Sequence, residues 1–176
     1  MNPQKLLSED RPQTDEHQDQ QQPETLVATN LIRLAIMRCA GSLLGIDVKW
    51  VREIRPFAGA TPVYGLPPCW AGITALRGHL YAVLDLKQIL SHEHITAEGP
   101  QQIVFTAVHD YSVGLLVDAV VLVRQIDAAT ITAGPPPGLP YILGSTPEQI
   151  NILDLPALYA DLHRNPWASR ENHAET

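Results

Sequence analysis

The sequence predicts an all-β protein made of short hairpins in two related halves. Three observations carry that expectation. Apolar and polar residues alternate over short runs, and glycine and proline signals separate the runs. A strand-to-helix string, Leu-Asp-Leu, also occurs twice, at Leu84-Asp85-Leu86 and at Leu153-Asp154-Leu155. Many short strands at this spacing close into a barrel or stack into a sandwich.

Ile32, Leu34 and Ile36 alternate with Arg33 and Ala35, the period-2 pattern of a strand with one buried face. Ala40-Gly41 turns the chain into Leu43 to Ile46, which makes a first hairpin. Asp47 is placed to cap a short turn before a further strand, Val51 to Ile54. Residues 55–70 carry Pro56, Pro62, Pro67, Pro68 and two glycines, which force an irregular, ordered loop. Ile73 to Leu76 and Leu80 to Leu86 flank Arg77-Gly78-His79, a second hairpin whose turn uses the conformational freedom of Gly78. Ile103 to Val108 and Val113 to Val117 flank Asp110-Tyr111 as a third, and Ala119 to Val123 continues as a strand. The prolines within 134–138 end that run, and Tyr141 to Leu143 with Ile150 to Ile152 make a fourth pair.

Each Leu-Asp-Leu leads from a strand end into an amphipathic turn of helix, where the aspartate can accept from amides left unpaired at the helix start. Pro156 suits an early helical position. Leu155, Leu158, Tyr159 and Leu162 then fall on one apolar stripe. Two pseudo-equivalent half-domains account for the repetition; chance recurrence of three residues in an apolar sequence is the alternative.

Composition limits what can fold and what can bind. The chain has 176 residues, 45% of them hydrophobic, and a formal net charge of −7. Residues 1–25 hold six acidic side chains and Gln18, Gln20, Gln21 and Gln22 with hardly an apolar anchor, and residues 165–176 are similar apart from Trp167. Both tails are expected to be disordered, because they bury too little surface to offset ordering entropy. The folding domain is therefore expected over 26–164. A nucleic-acid partner would need a basic stripe, which the sequence lacks. No apolar run reaches the ~20 residues of a membrane span. Without a signal peptide the expected location is cytoplasmic, where Cys39 and Cys69 stay reduced.

Catalytic patterns are missing too. Neither a phosphate-cradling glycine loop nor a Gly-x-Ser-x-Gly elbow occurs. His92-Glu93-His94 is the only dense ligand-like cluster, and no third ligand follows at a recognised metal spacing, so a solvated loop is the better reading. Cys39 and Cys69 read as small buried hydrophobes. Asp85 and Asp118 could be drawn as an acid–base pair, but each stands where the chain changes direction, the place of a capping carboxylate. No cofactor, metal or catalytic residue is expected. The expected business of the domain is binding.

The order and spacing of several motifs now carry a resemblance. Gly45-Ile46-Asp47, Val51-Arg52-Glu53-Ile54, Gly65-Leu66-Pro67-Pro68, Ala71-Gly72-Ile73, Leu76-Arg77-Gly78 and Val83-Leu84-Asp85-Leu86 resemble the CheW family. Val113 to Val120 resembles its second signature and Ile152 to Leu155 its closing one, over roughly residues 30–163. The resemblance implies two small five-stranded SH3-like barrels sharing a core, with short helices that include a C-terminal one. It implies a non-enzymatic adaptor for chemotaxis. Its partners would be the cytoplasmic hairpin tip of chemoreceptors and the regulatory domain of a CheA-type histidine kinase, within membrane-associated arrays. A divergent scaffold for a twitching, surface-sensing or polar-localisation pathway is the alternative, and a small β-barrel enzyme with an unrecognised site is a third.

The resemblance also nominates protein-binding residues. Arg77 matches the family arginine, and its planar guanidinium suits a partner carboxylate or carbonyl; the competing role is a brace tying residues 55–70 to the hairpin. Val51 and Glu53 resemble partner-surface positions, and strand alternation puts both opposite Arg52. Core packing for Val51 and a solvated charge for Glu53 compete with that role. Gly72 and Gly78 match glycines near a binding groove, where close approach or backbone conformation would equally require them. Val113, Gly114 and Val117 lie where the family lines the groove, and packing competes there too. One departure is Ala75, where the family usually has asparagine.

Overall fold

The structure is a computed structural model, and it describes residues 30–90, 99–134 and 141–164. Both expected tails, His92-Glu93-His94 and the prolines of 135–137 lie outside the described residues.

Strands β1 (Leu31–Cys39) and β2 (Ser42–Asp47) form the first hairpin, and a short turn, Val48–Trp50, leads to β3 (Val51–Pro56). Asp47 begins that turn as expected, its Oδ1 accepting the Lys49 N–H at 3.0 Å. The second hairpin is β4 (Trp70–Leu76) and β5 (His79–Asp85), followed by α1 (Leu86–Leu90); the third is β6 (Gln102–Val108) and β7 (Tyr111–Val117). Then come β8 (Ala119–Asp127), β9 (Thr132–Ala133), β10 (Ile142–Ser145), β11 (Ile150–Leu153) and α2 (Leu155–Arg164). Several boundaries differ from expectation, among them the start of β4, at Trp70 rather than Ile73, and the end of β5, at Asp85 with Leu86 already in α1. The third turn is His109-Asp110, with Tyr111 already paired to Val108. Strand β8 runs on to Asp127 because it pairs along β1 throughout apart from Val121, which a register shift leaves out.

The strands form two sheets, β8-β1-β2-β11-β10-β9 and β3-β6-β7-β5-β4, so the fold is all-β with few, short helices. One sheet has six strands rather than five, because β8 and β9 are two parts of one run interrupted by a turn at Ala128–Thr130. The five-stranded sheet has a matching closure, a single bridge from Thr61 to Ile73 on β4.

Each half donates a strand to the other. The chain leaves β2 of the first sheet and enters β3, the edge of the second; it leaves β7 of the second and enters β8, the edge of the first. The strand carrying Leu-Asp-Leu lies parallel to the second strand of a hairpin in both sheets, β5 along β7 and β11 along β2. Register agrees residue by residue: Gly114 pairs with Val83, two before Asp85, and Gly45 with Ile152, two before Asp154. Both aspartates cap as expected, Asp85 Oδ1 accepting from Lys87 N–H and Asp154 Oδ1 from Ala157 N–H, each at 3.0 Å.

Strand alternation then builds three apolar clusters. Leu34 and Ile36 of β1 face one sheet's own interior with Ile150 and Ile152. Ile103 and Phe105 of β6 face the other's with Tyr81 and Val83. The opposite faces of the same strands, with Ala35, Met37, Leu44, Val104, Leu115 and α2, meet in one shared core. That two-sided burial corrects the single buried face expected of β1: Ala35 and Met37 are as fully buried as Leu34 and Ile36, because the strand lies between its own sheet's interior and the shared core. Leu155, Leu158, Tyr159 and Leu162 are all buried, so the helical stripe does what its spacing predicts. Thr106 donates to Val113 O at 2.7 Å, which leaves its oxygen to accept from the Tyr159 hydroxyl at 2.6 Å. A helix leaving one sheet is thereby tied to a strand of the other.

Candidate partner-binding surface

The sharpest candidate, Arg77, stands at the tip of the β4–β5 hairpin. Leu76 pairs with His79, so Arg77-Gly78 is a two-residue turn, and both residues have positive φ, 50° and 84°. Such turns match the twist of their strands but suit glycine or asparagine better than arginine. Ala40-Gly41 repeats the geometry, with φ of 50° and 77°. The turn is therefore scaffold, and the guanidinium is what this position adds. Its side chain is 75% exposed, and Nε lies 3.0 Å from Glu53 Oε2 on β3. Arg55 Nε binds the other oxygen of Glu53 at 2.6 Å. The Arg55 hydrogen bond first, then the charges of Arg55 and Arg77, hold the Glu53 carboxyl below its usual range. Exposed pairs of this kind add little stability. The competing brace role would tie the hairpin to residues 55–70; the ion pair that Arg77 makes is with Glu53 of β3.

A bulge overturns the expected shared face of Val51 and Glu53. Val51 pairs with Thr106 and Glu53 with Phe105, so two steps on β3 match one on β6. Directly paired residues share a face, and neighbours on a strand do not. Val51 consequently turns to the shared core, and Glu53 turns to the Arg77 tip.

The glycines divide by role. At Gly72, φ is +133° and a Cβ would sit 2.2 Å from Thr61 O, so a backbone approach requires the glycine. Gly78 faces open space and serves its turn. Val113 and Val117, only 5% and 0% exposed, pack in the shared core, and a Cβ on Gly114 would strike Ile103. From these three positions the folded chain presents packing rather than surface. Ala75 is exposed on β4, across from Leu80.

A buried ionic cluster escaped sequence reading. Lys87, 5% exposed at its side chain, forms an ion pair with Asp118, whose other oxygen accepts from Ala40 N–H at 3.1 Å. Asp118 thus pins the β7-to-β8 crossing to the first hairpin. Burial is the main force raising the Asp85 carboxyl above its ordinary range, and burial with nearby Asp118 and Asp85 pushes the Cys39 thiol to about 12. Lys87 shows in sequence only as a lysine after Leu-Asp-Leu, with nothing to mark its burial. Among the described residues no group of three metal-ligating side chains occurs, and no helix is long and apolar enough to cross a membrane.

The fold is thus two interlocked sheets around a shared core, with an ion-paired hairpin tip at the surface. Residues 33–163 match the CheW-like domain, and the chain belongs to that family, one of non-enzymatic scaffolds. It is 28% identical over 91 residues to a chemotaxis protein CheW of Klebsiella aerogenes, an alignment spanning 52% of this chain and 55% of the relative. Only about half of that curated relative's length is matched. The scaffolding protein TtCheW of Thermoanaerobacter tengcongensis is similar in structure, with a TM-score of 0.61, 27% identity, and coverage of 70% of this chain and 89% of that one.

Proposed function

We propose that this chain is a chemotaxis adaptor that couples the cytoplasmic hairpin tip of chemoreceptors to the regulatory domain of a CheA-type histidine kinase. The observation that carries the reading is the exposed Arg77–Glu53–Arg55 corner within a CheW-like domain. Among the described residues Arg77 contacts Glu53 through Nε, and its terminal nitrogens can reach a partner carboxylate or carbonyl. Gly72 and Gly78 hold the hairpin that presents it, while Val51, Val113, Gly114 and Val117 fix the strands behind. The adaptor binds both partners at once, uses no cofactor, and is recruited from the cytoplasm to receptor arrays, where many weak contacts act together. Pulldown of the purified chain by the cognate receptor hairpin and by the kinase regulatory domain tests this, with micromolar affinity expected. Folded protein that binds neither overturns it.

A further inference from the structure

Strands β3 and β8 hold the same place in the two sheets. Gly114 pairs with Phe105 and Gly45 with Ile36, so Phe105 of β6 corresponds to Ile36 of β1. Opposite them, the β3 bulge between Val51 and Glu53 corresponds to the β8 shift between Val120 and Leu122. The runs Val51-Arg52-Glu53-Ile54-Arg55 and Val120-Val121-Leu122-Val123-Arg124 therefore match in register.

Their chemistry differs. At the two positions where β3 carries Arg52 and Glu53, β8 carries Val121 and Leu122. Charges and a proline, here Pro56, blunt an edge strand against further pairing. On β8, Val121, Leu122 and Val123 are 49%, 46% and 50% exposed, and among the described residues the strand pairs only with β1. Val120 N–H is taken by Gln102 Oε1 at 2.5 Å and the Arg124 side chain is paired with Glu148 at 3.2 Å, so the open apolar stretch is Val121 to Val123. Val123 and Leu122 pair with Ala35 and Ile36, which belong to different clusters, so apolar surface is offered on both faces. An added strand is the shape that covers both faces of an edge.

Charge selects the occupant. Arg33 and Arg38 of β1, both exposed, lie opposite Gln125 and Ala119 at the two ends of β8. They stand two strand spacings, about 10 Å, behind an added strand, within reach of an extended arginine. A second copy laid antiparallel about Leu122 would bring the Arg38 end of one molecule to the Arg33 end of the other, like against like. We infer that the free edge of β8 docks an extended segment of a partner protein that is apolar in its middle and acidic at its ends. This surface lies apart from the Arg77 corner and does not depend on receptor or kinase binding.

The test uses a fluorescein-labelled peptide, Glu-Asp-Val-Thr-Ile-Val-Val-Asp-Glu, titrated with the whole chain by fluorescence anisotropy. A second peptide carries lysine in place of all four acidic residues. The area covered is far below the ~1,200 Å² of a stable complex, so a dissociation constant of order 100 μM is expected. The lysine-ended peptide and the Leu122→Lys variant should each bind at least tenfold more weakly, the variant with an unchanged melting temperature. Arg33→Glu with Arg38→Glu should reverse the preference between peptides, and Arg77→Ala should leave it unchanged. No binding of the acidic peptide at about 1 mM, or equal binding by Leu122→Lys, would overturn the inference. So would a sedimentation-detected dimer of the wild-type chain that Leu122→Lys dissolves, since a second copy would then occupy the edge.

Discussion

Replacing Gly72 and Gly78 separately by alanine separates two roles that look alike in sequence. At Gly78 the new methyl enters open space, and only the positive φ of 84° is strained. A left-handed conformation at a non-glycine residue costs of order 1 kcal/mol. At Gly72 the φ of +133° suits no L-residue, and the methyl would overlap Thr61 O at 2.2 Å, against backbone rather than a yielding side-chain end. Strain and overlap together should cost about 3 kcal/mol or more, among the large single-substitution effects. For a domain of this size 1 kcal/mol moves the melting temperature by roughly 3–4 °C, so the drops should be about 3 °C for Gly78→Ala and about 10 °C for Gly72→Ala. Urea unfolding and calorimetry read both. Equal losses, or a loss below about 1 kcal/mol at Gly72, would refute the close approach as the reason for glycine there.

The buried ionic cluster should respond asymmetrically. Asp118→Ala removes a charged partner of a nearly buried ammonium and should cost about 3 kcal/mol, whereas Lys87→Met, which keeps the volume without the charge, should cost far less; urea midpoints compare them. Alkaline pH should destabilise the fold from about pH 9 upward. The Cys39 thiol is raised from 9.0 to about 12 and Tyr141 from 10.0 to about 12, so the unfolded chain loses these protons first and unfolding gains as pH rises. Stability between pH 8 and pH 11 should fall less steeply in Cys39→Ala, as urea melts across that range will show. Because that thiol is buried and protonated, iodoacetamide should leave Cys39 unmodified in the native protein and label it after unfolding.

Much of the fold was legible because local signals agreed with one another. Alternation in Ile32 to Ile36 placed β1, the glycine turns placed the hairpins, and the repeated aspartates disclosed the pseudo-symmetry. The exchange of β3 and β8 between sheets was not legible, since alternation fixes a strand's faces but not its neighbours. The bulge after Val51 was invisible for a related reason. It appears only when β3 is laid against β6, and it reversed the face assigned to Glu53 relative to Val51. Arg77 could be singled out from its hairpin tip, but its tie to Glu53 joins residues far apart in the chain. Lys87 shows the converse limit: a lysine in an amphipathic turn reads as exposed, and its ion pair with Asp118, delivered by a distant crossing, helps to make its burial tolerable.

Calorimetric titration of the cognate kinase regulatory domain and receptor hairpin into wild-type and Arg77→Ala protein tests the adaptor reading most directly, with melting curves recorded alongside. Micromolar binding that weakens at least tenfold in the variant is the predicted result. The melting temperature should shift by only a degree or two, as an exposed substitution costing under ~0.5 kcal/mol should. Undiminished affinity in the variant, or a large loss of its stability, would instead make the hairpin-tip arginine part of the frame.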